Sequence, residues 1–436
     1  MGYSNAKGGE EAILAAEQLV RRGREAGSSP RLTLDQVTER LRLAVDRVMG
    51  EASLWSPELA SRAVRQAEGD QFEAMQLLRA HRSTLPRLAY SEPVEVAELR
   101  VLRRVSSAFR NPPGSQILGR TLDYVGRLLD LMPEQDHERY MADLQASVGH
   151  GHGDGHSHGG PTHGGPTHGE HDHEHGDPDH EHEHDHRVPE NGATRDLVGE
   201  LQAIAAESDD DRNPPRVMDL MRAMDLLVER RTGEDPEPYD VTRQPARPGA
   251  PRSAVLSMLA RAETGALVHF WYKLRFDPRS AGHEIPGEVR HGWLPLRISH
   301  PLTGNPVQVA EIRVTDVETY DDLDRPDEDR SRIDVGYGLC FGHNERKAIA
   351  MAGLDLAVHR DGNSSEVAQQ VLITLDGVEA NGFLEHLKLP HHVDFRSVID
   401  RKQAIRARQQ TGTGPVAGTD ATATPGNETQ QIGALV

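Results

Sequence analysis

The chain has 436 residues, 49 basic and 69 acidic side chains, a formal net charge of −20 and a single cysteine. That length supports two or three domains, each able to bury a core. One cysteine excludes a disulfide framework and any cysteine-rich zinc or iron–sulfur site built from this chain alone.

The acidity is local. His150–Arg187 carries nine acids against one arginine and Asp316–Asp334 nine against three, which together hold −14 of the −20. The rest is near balance, and the overall sign argues against nucleic acid as a general partner. The opening MGYSNAKGGEEAI lacks the apolar core of a secretion signal. No apolar run approaches the about 20 residues that cross a bilayer. A soluble, cytoplasmic protein with no membrane contact is the expectation.

Residues 1–131 read as helical. Glu10–Gly27 spaces Ile13, Leu14, Ala16, Leu19 and Val20 at helical intervals, and Thr33-Leu-Asp-Gln36 is a capping box ahead of Val37, Leu41, Val45 and Val48. Ser56-Pro57 pairs an N-cap with proline at the first helical position, and Asp70-Gln-Phe-Glu73 opens another helix. His150–Arg187 holds 13 of the 24 histidines and almost nothing apolar, so it cannot fold alone. It reads as a disordered insert that binds transition metals weakly and incidentally.

Beyond it, Thr194–Ala206, Pro215–Arg230 and Ser253–Glu263 read as helices, with a proline-rich linker before the last. LVHFWYKLRF, from Leu267, is predicted as a strand, followed by strands in VRHGWLPLRI and PVQVAEIRVTDVETY. Asp321–Asp334 is an acidic loop, and residues from 407 onward read as a disordered tail. The predicted class is α+β. Its segments are a helical N-terminal domain (1–148), a disordered His/Asp/Glu-rich insert (149–190), and a helical segment with linker (191–264). A mixed sheet with helices (265–400) and a disordered tail (401–436) complete it.

Gly114–Thr121 falls one residue short of a phosphate-binding P-loop, has arginine where lysine belongs, and follows Asn111-Pro112-Pro113 where a strand is required. A P-loop is therefore excluded. VGYGLCFGHNERKAIAM reads as a buried strand ending at Gly342, a turn, and a helix capped by Asn344, a junction that aims N–H groups at whatever lies above it. Cys340, among apolar neighbours, reads as a buried inert thiol.

Basic or glycine-rich clusters able to hold an anion are Lys7-Gly8-Gly9, Arg103-Arg104, Gly287–Arg290 and Glu345-Arg346-Lys347, although solvated surface charge is the more frequent explanation of each such cluster. His386 and His391 flank Leu387-Lys388-Leu389-Pro390, where proline forbids a continuous helix. They are either two metal ligands on a loop or surface histidines beside a turn.

KGGEEAI, LRLAVDRVM, LLRAHRSTLPRLAYSEP, PGSQILGRTLDY, DVTRQP, PGEVRHGW, GYGLCFGHNERKAIAM and HLKLPHHVDF occur in this order. Together they resemble the I subunit of the bacterial carbon–phosphorus lyase core complex, from the N-terminus to about Phe395. The histidine insert and the acidic loop depart from the family pattern. The resemblance implies a transferase subunit that displaces the purine of ATP or GTP by a phosphonate, giving α-D-ribose 1-methylphosphonate 5-triphosphate. Alone, it implies hydrolysis to free base and ribose 5-triphosphate. It also implies partner G, H and J subunits, ATP-binding-cassette subunits and a homodimer within the hetero-oligomer.

Zinc on His386 and His391 at the J-subunit interface is implied by the same likeness, with Mg²⁺ accompanying the nucleotide. For the chemistry, Glu288, Asp46 or Glu345 is expected as the carboxylate at the reacting ribose. Lys7, Gly8, Gly9, Arg104, Arg290, Arg346 and Lys347 are expected at phosphate or phosphonate. Two other readings stay open: a histidine-rich metal chaperone or store, and a non-catalytic scaffold for the radical subunit.

Overall fold

The computed structural model describes residues 9–107, 114–148, 216–228, 238–276, 284–324, 328–378, 381, 384, 388 and 396–411. In chain order the elements are α1 (Gly9–Glu25), α2 (Leu34–Arg40), α3 (Arg42–Ala52), α4 (Pro57–Gln66), α5 (Gln71–Thr84), β1 (Arg100–Ser106) and α6 (Glu134–Val148). They continue with α7 (Val217–Ala223), α8 (Arg252–Arg261), α9 (Thr264–Arg275), β2 (Ile285–Ser299), β3 (Pro306–Asp321), β4 (Asp334–Phe341), α10 (Glu345–Asp361), α11 (Glu366–Ile373) and α12 (Arg396–Gln410). The class is α+β. The insert at 149–190 and the helix expected at Thr194–Ala206 lie outside the described residues.

Two compact units divide the chain. The first takes Met1–Ala89, Arg231–Ala281 and Gly338–Val436, the second Tyr90–Arg230 and Gly282–Tyr337. In the first unit the expected caps are in place: Thr33 and Gln36 form a reciprocal box, Ser56 accepts from Leu59 N–H, and Asp70 accepts from Phe72 and Glu73. These caps orient α2–α5 so that Val45, Val48, Met49, Val64, Met75 and Leu78 close one core. α10 is sheathed by α8, α9 and α11 and is buried through most of its length.

LVHFWYKLRF is helix α9, not a strand. Glu263 caps it, accepting the Gly265 and Ala266 amides at 2.8 and 2.6 Å. Trp271 lies on α10 at Gly353, where a Cβ would come within 2.2 Å of the indole nitrogen. Tertiary packing and a good N-cap outweigh the strand propensity of the aromatics. α12 also extends to Gln410, into residues expected as tail.

β1, β2, β3 and β4 pair in chain order, with β1, β2, β3 and the Asp334–Tyr337 part of β4 assigned to the second unit; the β1–β2 and β2–β3 ladders are antiparallel, where a mixed sheet was expected. β1 itself falls among residues expected to be helical. Its register places Arg104 opposite Arg290 and Arg290 opposite Asp316, with Glu288 opposite Glu318 two pairs along. Trp293 lies between Arg100 and Arg313, whose guanidinium carbons are 6.0 and 5.5 Å from its ring centre.

Candidate active site

β4 runs into α10 through Gly342, which holds φ +71°. A Cβ there would stand 2.6 Å from the Cβ of Asp46, so the turn needs glycine both for its conformation and for the approach of α3. Asp46 is fully enclosed; its Oδ2 accepts the His343 N–H at 3.1 Å, with Arg42 Nη1 at 3.5 Å. Asn344 does not cap α10 with its side chain as expected. Its amide instead donates to the Asp46 carbonyl at 3.0 Å and the Phe341 carbonyl at 2.6 Å, binding the turn to α3.

Arg42 Nη1 lies 3.2 Å from His343 Nδ1. A guanidinium only donates, so Nδ1 accepts and Nε2 carries the hydrogen that faces Glu345 Oε1 at 3.4 Å. Two of the three expected carboxylates, Asp46 and Glu345, thus meet at one turn, and Glu345 keeps 16% of its side chain exposed.

Beside this turn the first unit holds a cleft of about 1,020 Å³, whose walls include Gly50, Leu339, Cys340 and Phe341. Four arginines, Arg82, Arg87, Arg243 and Arg261, line it against one acid, Asp240. Arg87 Nη1 donates to Asp240 at 2.5 Å and Nη2 to Thr242 Oγ1 at 2.9 Å. Burial alone would raise the Asp240 carboxyl; bonds from Thr242 and Arg87 outweigh it and hold the group at about 2. Cys340 is buried and its thiol pushed up to about 12 by that burial, in keeping with the inert thiol expected. These arginines were not singled out from sequence, although Arg82, Arg87 and Arg243 lie in the runs LLRAHRSTLPRLAYSEP and DVTRQP.

The remaining expected residues are dispersed. Glu288, Arg104 and Arg290 gather in the second unit inside a buried, charge-balanced network. Arg104 pairs with Glu288 at 2.5 Å, Arg290 with Asp316, and Arg216 with Glu318. The second oxygen of Glu288 and one of Glu318 accept the Val217 and Met218 amides at 3.2 Å each, so both acids serve the start of α7. Burial raises the Glu318 carboxyl and the Tyr320 and Tyr337 phenols.

Lys347 is enclosed in the first unit, its Nζ donating to the Ala262 carbonyl at 2.8 Å, and its pKa is lowered by burial. Arg346 is exposed on the first turn of α10, and Gly9 begins α1. Lys7, Gly8, His386 and His391 lie outside the described residues. Among the described residues no group of three metal-ligating side chains gathers, and no helix is long and apolar enough to cross a membrane.

The family model for the bacterial phosphonate metabolism protein PhnI matches residues 2–409. This chain belongs to the PhnI family. Its role is therefore in phosphonate metabolism. Two similar relatives bear the name alpha-D-ribose 1-methylphosphonate 5-triphosphate synthase subunit PhnI. The one from Rhizobium meliloti (strain 1021) is 34% identical over 93% of this chain and 95% of its own. The one from Escherichia coli (strain K12) is 32% identical over 94% and 100%. HtxH of Stutzerimonas stutzeri, named as a candidate C–P lyase subunit, is 35% identical over 95% and 97%.

Proposed function

We propose that this PhnI-family chain is the subunit that exchanges the purine of ATP or GTP for a phosphonate. A phosphonate oxygen attacks the ribose C1′, the C1′–N9 bond breaks, and the purine leaves with the bonding electron pair and takes up a proton. The observation that carries this reading is the match, over nearly the whole chain, to two relatives named as that synthase subunit. The inverted anomer of the product calls for a single displacement with oxocarbenium character at C1′, which a nearby carboxylate stabilises.

Of the three carboxylates, Asp46 and Glu288 have no exposed side-chain surface, whereas Glu345 has some. Glu345 is therefore the one placed at the ribose in this reading. His343 orients it, and Asp46 fixes the turn that carries both. Arg346 and Lys7 remain contacts for phosphate or phosphonate oxygens in this reading. Zinc on His386 and His391, Mg²⁺ with the nucleotide, the G, H, J and ATP-binding-cassette partners, a homodimer within the assembly and a cytoplasmic location complete the proposal.

The test is incubation of the purified chain with ATP and chromatography for free adenine, then the same with the assembled core and methylphosphonate. Adenine release supports the reading, and the synthase product must appear with the core. No adenine from either preparation rejects it, and would leave a scaffold or a metal store.

A further inference from the structure

The cleft beside the β4–α10 turn is lined by arginines that are not among the expected site residues. Its charged lining is four guanidiniums against one carboxylate, in a chain whose overall charge is −20. Arg261 also pairs with the buried Asp376 at 3.2 Å, so the lining is net positive without being of one sign, and low-dielectric walls focus that field on the cavity. The guanidiniums are held in place: Arg82 donates to the Ala52 carbonyl at 2.7 Å, and Arg87 and Arg243 share Asp240. Planar, pre-positioned guanidinium groups match phosphate oxygens better than ammonium groups do.

The lining also includes apolar side chains, among them Leu54, Leu85, Pro86, Val241, Leu339 and Phe341. A volume of about 1,020 Å³ stands at the upper end of small-molecule sites and has room for a nucleotide. Ser53, Ser83, Thr242 and Ser257 add hydroxyl groups to the same lining. A ligand that satisfies both the guanidiniums and the apolar side chains has a polyanionic end and a flat apolar end.

We infer that this cleft binds the nucleoside triphosphate, its polyphosphate against Arg82, Arg87 and Arg243 and its base against the apolar lining. The inference rests on the proposed function for its choice of ligand. Arg243, with 62% of its side chain exposed, is the phosphate contact whose replacement disturbs the fold least.

Calorimetric titration of the full chain with ATP and with inorganic tripolyphosphate tests it. Arg243→Glu and the milder Arg243→Gln are compared with wild type, and melting curves verify that each variant is folded. The expected result is at least a tenfold weaker ATP affinity in Arg243→Glu, a smaller loss in Arg243→Gln, and a parallel loss for tripolyphosphate. Equal ATP affinity in wild type and both variants overturns the site, as does absence of ATP binding by wild type. The measurement requires no turnover. Wild type that releases adenine while both variants bind ATP normally removes the site and keeps the function; charge-dependent binding without adenine release does the reverse.

Discussion

Arg104 Nε and Glu288 Oε1 lie 2.5 Å apart across the β1–β2 ladder, and neither side chain has any exposed surface. A pair so enclosed is costly to split, because the surviving charge has nowhere to go. Glu288→Ala is expected to destabilise the chain by about 3–5 kcal/mol, measured as a lower urea midpoint. Arg104→Met added to Glu288→Met should restore most of that loss, since the two charges leave together. An unchanged midpoint in Glu288→Ala would show that the pair does not hold β1 in the sheet. Lost activity in that variant must be read against its unfolding curve.

Gly342 carries a second structural expectation. Alanine at this position meets φ +71° and the Cβ of Asp46 at 2.6 Å. The conformational penalty alone is about 1–2 kcal/mol, and α3 must also move. Gly342→Ala should therefore lower the melting temperature and weaken the Asp46–His343 contact. Melting indistinguishable from wild type would mean the turn is looser than its geometry.

The helical caps and the strand–turn–helix junction were legible because local chemistry decides them: Thr33, Ser56 and Asp70 bond amides two or three residues away. β1 was hidden for the opposite reason. Arg103 and Arg104 read as surface charge, yet both are buried, and the acids that neutralise them, Asp123 and Glu288, are distant in sequence. The arginine cleft was hidden likewise, since its lining comes from five separate stretches between Gly50 and Phe341. Hydrophobic periodicity cannot report a charge whose partner arrives through tertiary structure.

Lys347 gives a prediction in pH. Burial lowers its pKa from 10.5, with Glu51 opposing the shift, so the folded chain releases this proton more readily than the unfolded chain. Between the folded pKa and 10.5 the unfolded state binds more protons, and stability from this group rises with pH. Lys347→Met removes the group and should flatten that rise. Urea unfolding at stepped alkaline pH measures it; the same slope in wild type and variant would show that the ammonium is not the source.

Cys340 should be silent to thiol reagents in the folded chain. Its thiol is buried and pushed up to about 12, so little thiolate exists at mildly alkaline pH. Labelling by an aromatic disulfide reagent should wait for unfolding in denaturant. Rapid stoichiometric labelling of native protein would place the sulfur in contact with solvent and contradict its burial within the cleft wall.

Glu345 is where structure and proposed chemistry make the most specific demand. It stands at the first turn of α10, 3.4 Å from His343 Nε2, on a turn that Asp46 clasps. Glu345→Gln keeps the shape and an acceptor for His343 but removes the negative charge. If that charge stabilises the oxocarbenium-like state, adenine release should fall by about 10²–10³-fold in kcat while ATP binds with unchanged Kd. Asp46→Asn should act differently: it weakens the hold on His343 and Arg42, so kcat and KM should change together and stability should fall. Wild-type kcat in Glu345→Gln would remove this residue from the reaction, and an equal loss of ATP affinity would make it a binding group.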